Sequence, residues 1–240
     1  MEKKDSNNLF LKLCFICGIL EIILIILFQF ISNYLFKNPI YSIIFWSILY
    51  TAFIFFLFGL YRIVKKYDKT FLKVILVIMI IFEIFSFLGS VSYDVHNILF
   101  GTSPVSNLKP IALYLLFTIL GLMGVLTSGS IANLFLGILL VLFGIGLVKA
   151  KDTIKYAKLT GIFSILDGGV KVILSLFVIF VKIYAYTNPI LRITLSNFLS
   201  GMPFIVGATI FDILPYIFGA LLIYYELKKN KTIQTKFGSV

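Results

Sequence analysis

A chain of 240 residues that is 60% apolar and only 13% charged, with a mean hydropathy of +1.08, carries more apolar surface than a soluble domain of that size can bury. The net charge of +11 does not point to nucleic acid, because no soluble domain presents a basic patch interleaved with aromatic side chains. The apolar runs are continuous rather than alternating, and backbone polar groups in hydrocarbon need internal partners, so helices are favoured over a β-barrel.

The fold class read from the chain is therefore all-α: a polytopic transmembrane bundle of six to seven helices, forming a single integral membrane domain over residues 1–240. The apolar segments are 9–33, 40–63, 70–91, 110–127, 131–149, 159–182 and 203–226, each close to the roughly 20 residues needed to cross a bilayer. The basic start MEKKDSNN lacks a short apolar region with a small-residue cleavage site, so 9–33 is expected to remain as the first span. Leu13 stands where a lipoprotein cleavage site would need a small residue before Cys14. Cys14 and Cys17 form C-F-I-C, but with no other cysteine and no βαβ setting they read as small apolar side chains. Glu21 falls in the middle of this segment.

Asn38-Pro39 precedes the second segment, which ends in FGLYRIVKKYDK from Phe58. The third carries Glu83. Residues 92–109 read as a polar loop holding Asp94 and the sole histidine, His96, a solvated pair rather than a metal-ligand set. Segment 110–127 has no charge. Segment 131–149 is punctuated by Gly137, Gly144 and Gly146, residues that let helices approach closely, and ends in FGIGLVKAKDTIKYAK from Phe143. Asp167 and Lys171 lie in 159–182, four residues apart and so on one helix face within pairing reach. Residues 187–202 read as a partly amphipathic, interfacial stretch. In 203–226 Asp212 precedes Pro215, which leaves the Phe211 carbonyl without its helical donor. FGALLIYYELKKNK from Phe218 leads into a short basic tail, 227–240, and repeats the pattern of Phe-Gly followed by a basic cluster for a third time.

Charge decides between six and seven crossings. If all seven segments cross, Lys and Arg divide evenly between the two faces. If 110–127 does not cross, only Lys37, Lys109, Lys182 and Arg192 remain opposite the basic majority. The positive-inside rule then favours six crossings in a cell membrane with both termini cytoplasmic. Seven ordinary spans remain the alternative, because 110–127 is long enough to cross.

Basic loops after alternate helices, GLYRIVKKYDKTFLK before one apolar helix and KAKDTIKYAKLTGIFSILDGG opening another, resemble small multipass membrane proteins of uncharacterised activity found mainly in archaea. The resemblance covers roughly residues 50 to 225. It implies a six-helix core with basic loops on one side, to which 110–127 is surplus, and it implies no activity.

The residues that need explaining are Glu21, Glu83, Asp167, Lys171 and Asp212. A charge at bilayer depth costs about 2.5–3.5 kcal/mol by insertion measurements, so each is expected to face a protein interior or a wet cavity. Four acids against one lysine leave three that need a proton, water or a cation. No HExxH, Gly-x-Ser-x-Gly, P-loop or complete phosphotransferase aspartate set is present, so no catalytic, metal or cofactor residues are assigned and no enzyme is expected. The expected partners are the bilayer and its anionic headgroups at the basic loops. The reading that asserts least is a non-enzymatic structural, regulatory or assembly component whose buried acids pin helix pairs. The alternative is a small proton- or cation-linked transporter or channel-like protein. Convergence of the five side chains on one interior region favours the second; scatter favours the first.

Overall fold

Pro39 cannot donate a backbone hydrogen bond, and Asn38 before it is extended, with its side-chain oxygen accepting from the Ile40 amide at 3.0 Å. That cap starts a helix. The computed structural model describes residues 2–35, 38–100, 130–185 and 202–237. Among the described residues there are six helices and no strand: α1 (Glu2–Leu35), α2 (Pro39–Lys66), α3 (Thr70–Phe100), α4 (Ser130–Lys149), α5 (Ala157–Ala185) and α6 (Met202–Phe237).

Each helix packs against the next in sequence, and α6 closes the ring on α1 while also touching α2. Neighbours run in opposite directions, as the paired positions show. Phe28 stacks on Phe45 at one end of α1 and α2, and Arg62 lies over the Phe10 ring at the other. Gly146 of α4 abuts Leu72 of α3, whereas Phe135 meets Phe82 at 5.3 Å. Phe163 of α5 stacks on Phe218 of α6 at 4.5 Å. Asn230 on α6 donates to Asn8 on α1 at 3.3 Å.

This alternation gathers the start of α1, the α2–α3 turn, the α4–α5 turn and the end of α6 on one face. Most of the chain's Lys and Arg lie there. The three Phe-Gly repeats are the ends of α2, α4 and α6, which all finish on this basic face. Segment 110–127 lies outside the described residues. The helices flanking it, α3 and α4, are antiparallel, so the chain leaves α3 and enters α4 on the same, opposite face.

Leu57, Leu72, Leu76, Met79, Leu222 and Ile223 form the buried centre of the ring. Outward-facing positions are apolar too: Ile16 is 62% exposed, Leu176 52% and Ile173 67%. Water would penalise so continuous an apolar exterior, whereas lipid is a solvent for it. Four stretches, Asn8–Phe28, Ile40–Lys66, Thr70–Leu88 and Ala157–Phe180, are long and apolar enough to cross a membrane, and Asn133–Lys149 is a shorter apolar helix. The protein is a helical integral membrane protein.

One sequence-derived reading needs correction, and two helices run beyond the apolar segments. α3 continues through 92–100, read from the sequence as loop, because Val91, Val95 and Leu99 keep a helical spacing and the next breaker is Gly101. The basic tail is helical to Phe237, since neither Gly nor Pro intervenes before Gly238. α1 starts at Glu2, before the apolar run. The stretch 187–201 lies outside the described residues.

Candidate functional site

On α5 the residues Thr160, Ser164, Asp167, Lys171 and Ser175 recur every three or four positions and so form one polar stripe along an otherwise apolar helix. Four of the five are almost fully buried, and the Lys171 side chain keeps 20% of its exposure. α4 allows this. A Cβ on Gly137 would stand 2.8 Å from the Gly168 carbonyl oxygen and 3.0 Å from the Lys171 Cβ, so the two backbones touch directly beside the ionised groups.

The Lys171 ammonium donates to Oδ1 of Asp167, one turn earlier on α5, and to Oδ1 of Asp212 on α6. The expected Asp167–Lys171 pair is thus present and has gained a second carboxylate. Pro215, three residues beyond Asp212, lies within α6 without ending it.

Glu83 enters from α3. It is 5% exposed and lies within electrostatic range of Lys171. Glu21 enters from α1, is 3% exposed and lies within electrostatic range of Glu83. Tyr216 of α6 interacts electrostatically with Glu21, Glu83, Asp167 and Asp212. Its ring packs against Phe53 and Phe56 of α2 at 5.4 and 5.5 Å. Tyr216 shares one cavity lining with Asp167 and Lys171, and acids on α1, α3 and α6 act on it electrostatically.

A cavity of about 50 Å³ opens beside them, with Thr160, Ser164, Asp167, Lys171 and Tyr216 on its polar side and Phe53, Leu57, Met79 and Leu140 on its apolar side. That is room for a few water molecules with several polar partners each. Two buried atoms, Glu21 Oε2 and Ser86 Oγ, have no hydrogen-bond partner among the described residues. Ser86 lies one turn from Glu83 on α3. A buried oxygen left in this state carries a desolvation cost that a proton, a water or a cation would remove.

The structure does not bring the five sequence-derived residues together equally. Asp167, Lys171 and Asp212 form a bonded triad, whereas Glu21 and Glu83 join it through space. Tyr216 and Ser86 escaped sequence reading. The signal for Tyr216 was its position four residues after Asp212 on the same helix face. The stripe on α5 was also legible as a period near 3.6 among polar residues. Cys14 is buried against Gly59 and Cys17 is half-buried; both are free thiols.

A second polar group lies on the basic face. Glu226 is 1% exposed, its Oε2 accepting from Lys66 at 2.7 Å and its Oε1 from the Tyr67 hydroxyl at 2.5 Å. Lys229 donates to the Tyr67 oxygen at 3.2 Å. Burial and the bond to Glu226 push the Tyr67 phenol up to about 12. Comparison with protein-family models, with curated proteins and with solved structures returned no match.

Proposed function

We propose that this membrane protein is not an enzyme and that it carries or senses protons, or a small cation, through the interior of its bundle. Glu21, Glu83, Asp167, Lys171 and Asp212 form the polar path, and Tyr216 is a hydroxyl that bridges its two halves. The observation that supports this is the Asp167–Lys171–Asp212 triad beside a cavity large enough for water, with the buried Glu83 within electrostatic range of Lys171 and the buried Glu21 within range of Glu83. Intramembrane ionisable groups are costly to insert and in general mark ion or proton pathways. Four buried or half-buried carboxyls against one ammonium leave an excess of acids, each able to take up a proton or share a cation, which makes the group a proton or cation acceptor.

A structural role is the second reading, supported by the way Lys171 ties α5 to α6. A buried ion pair of this kind fixes helix register more than it adds stability. Positive-inside logic and the resemblance to archaeal multipass proteins support a cytoplasmic basic face with both termini on it.

Proteoliposomes loaded with a pH-sensitive dye and given a potassium or proton gradient separate the readings. Wild type is expected to dissipate the gradient faster than empty vesicles, with Glu83→Gln and Asp212→Asn slowing it by about tenfold or more, as removal of about 1.4 kcal/mol or more of site stabilisation would do. Equal rates in wild type, both variants and empty vesicles would leave the structural role.

A further inference from the structure

Lys171 stands between two acids that reach it from different helices. Its ammonium donates to Oδ1 of Asp167 on α5 and to Oδ1 of Asp212 on α6. Its stem is fixed from a third side, because a Cβ on Gly137 of α4 would stand 3.0 Å from the Lys171 Cβ and the α4 backbone therefore lies directly against it. A metal cation held between α5 and α6 needs that same position, flanked by carboxylate oxygens. The chain fills it with a compact, strongly donating cation of its own.

Charge and space lead to the same result. With both aspartates ionised the triad carries one net negative charge, so a single proton neutralises it and removes the cost of burying the excess. A metal cation has to displace the ammonium or stand beside its like charge. The neighbouring cavity of about 50 Å³ is walled mostly by carbon, with Phe53, Phe56, Leu60 and Phe143 in its lining. A desolvated alkali cation needs a shell of oxygens in exchange for its water, whereas a water molecule fits such a space and carries a proton.

We infer that the ion taken by this cluster is a proton rather than a metal cation, that the Asp167–Lys171–Asp212 triad holds one at a time, and that Lys171 is the residue that sets this choice. The inference rests on the reading above, in which the buried acids carry or sense an ion, and narrows it. A proton arriving from water forms an O–H bond on one of the two carboxylates, and the N–H···O bond from Lys171 to that group is given up while the ammonium stays on the other. Release reverses both changes. The other titratable groups facing the triad are Glu83 of α3, within electrostatic range of Lys171, and Tyr216 of α6, within range of both aspartates; Glu21 of α1 is within range of Glu83. α4 has no titratable side chain before Lys149 at its end.

The test uses the full chain in an uncharged detergent at alkaline pH and equal ionic strength, with sodium, potassium or N-methylglucamine as the only added cation. Wild type is expected to melt at the same temperature in all three. Lys171→Met keeps the stem but removes the charge, leaving two carboxylates with nothing between them. Its melting temperature is expected to rise by several degrees, saturably, with sodium or potassium, and the rise to vanish on acidification as a proton takes the cation's place. A wild type stabilised by alkali cations as strongly as the variant would overturn the inference, and so would a variant indifferent to them. Should Lys171→Met fail to fold, infrared difference spectra of wild type decide. Lowering the pH is expected to raise a carboxylic acid band that Asp167→Asn and Asp212→Asn each diminish, and exchanging sodium for N-methylglucamine to leave the carboxylate bands unmoved; a cation-dependent carboxylate shift would sink the proposal. These readouts need no transport. In vesicles, an alkali-cation flux as fast as the proton flux would overturn the choice of ion and leave the carrying role standing, whereas wild type no leakier than empty vesicles would remove the carrying role, with the choice of ion decided by the melting and infrared results.

Discussion

Tyr67 and Asp68 are adjacent, yet opposite forces act on them. The Asp68 carboxyl is exposed at a left-handed turn position, φ 49°, and its bond to Lys73 holds it below the usual range. Whatever that bond contributes is present above the unfolded carboxyl's pKa and is lost as pH falls through the lowered folded value. Tyr67 is held up by burial and by Glu226, so the folded state retains the phenolic proton that the unfolded chain gives up near 10. Its contribution is complete below that pH and is lost as pH rises toward about 12. Tyr67→Phe is expected to flatten this alkaline loss. The ultraviolet difference titration between wild type and variant should then show one phenol ionising well above the ordinary tyrosine range; a difference centred near 10 would refute it. Residues of this type were poorly legible in sequence, because Glu226 lies within a basic cluster where its pairing with Lys66, far away in the chain, has no local mark. The Asp167–Lys171 pair was legible because both partners belong to one helix. Asp212 joins them only because α5 and α6 pack, which no spacing announces.

Among the described residues α4 and α5 make the most extensive helix contact, and glycine permits it. A Cβ on Gly144 would come within 2.5 Å of the Gly161 carbonyl oxygen, and one on Gly168 within 2.5 Å of the Gly137 carbonyl oxygen. Backbone cannot yield as a flexible side chain can. Gly144→Ala should therefore destabilise the bundle by about 1–3 kcal/mol, the usual scale of overpacking. Gly169, next to Gly168, has open space at its Cβ position. Gly169→Ala should gain the roughly 0.5–1 kcal/mol by which alanine exceeds glycine in a helix. Equilibrium unfolding in mixed micelles, titrated with a denaturing detergent, reads both signs. The same sign for the two would show that α4 and α5 do not touch as described. Helix identity was legible throughout, since long apolar runs have few other solutions in lipid. Helix ends were not. α3 and α6 run on past their apolar portions because neither Gly nor Pro occurs from 92 to 100 or from 227 to 237.

The whole molecule alternates direction at every step around its ring, so its basic turns fall on one face by topology alone. Single cysteines at Asp68, Asp152 and Lys228, in a background with Cys14 and Cys17 replaced by alanine, should all react with a membrane-impermeant maleimide from the same side of sealed vesicles. A residue labelled only from the other side would break the ring order. The charge count over the sequence anticipated this gathering, because the bilayer's asymmetry acts on loops irrespective of how the helices pack. The electrostatic coupling of Tyr216 to acids on four helices could not be read in the same way, because it depends on how α1, α3, α5 and α6 pack. The ring closes where Asn230 meets Asn8. Because these two positions are neighbours, the order of the helices is a circular one, and the linear chain is a single way of cutting it. A circular permutant joined there by a short peptide and reopened in the exposed 151–153 turn would preserve every helix direction, and with it the handedness of the bundle.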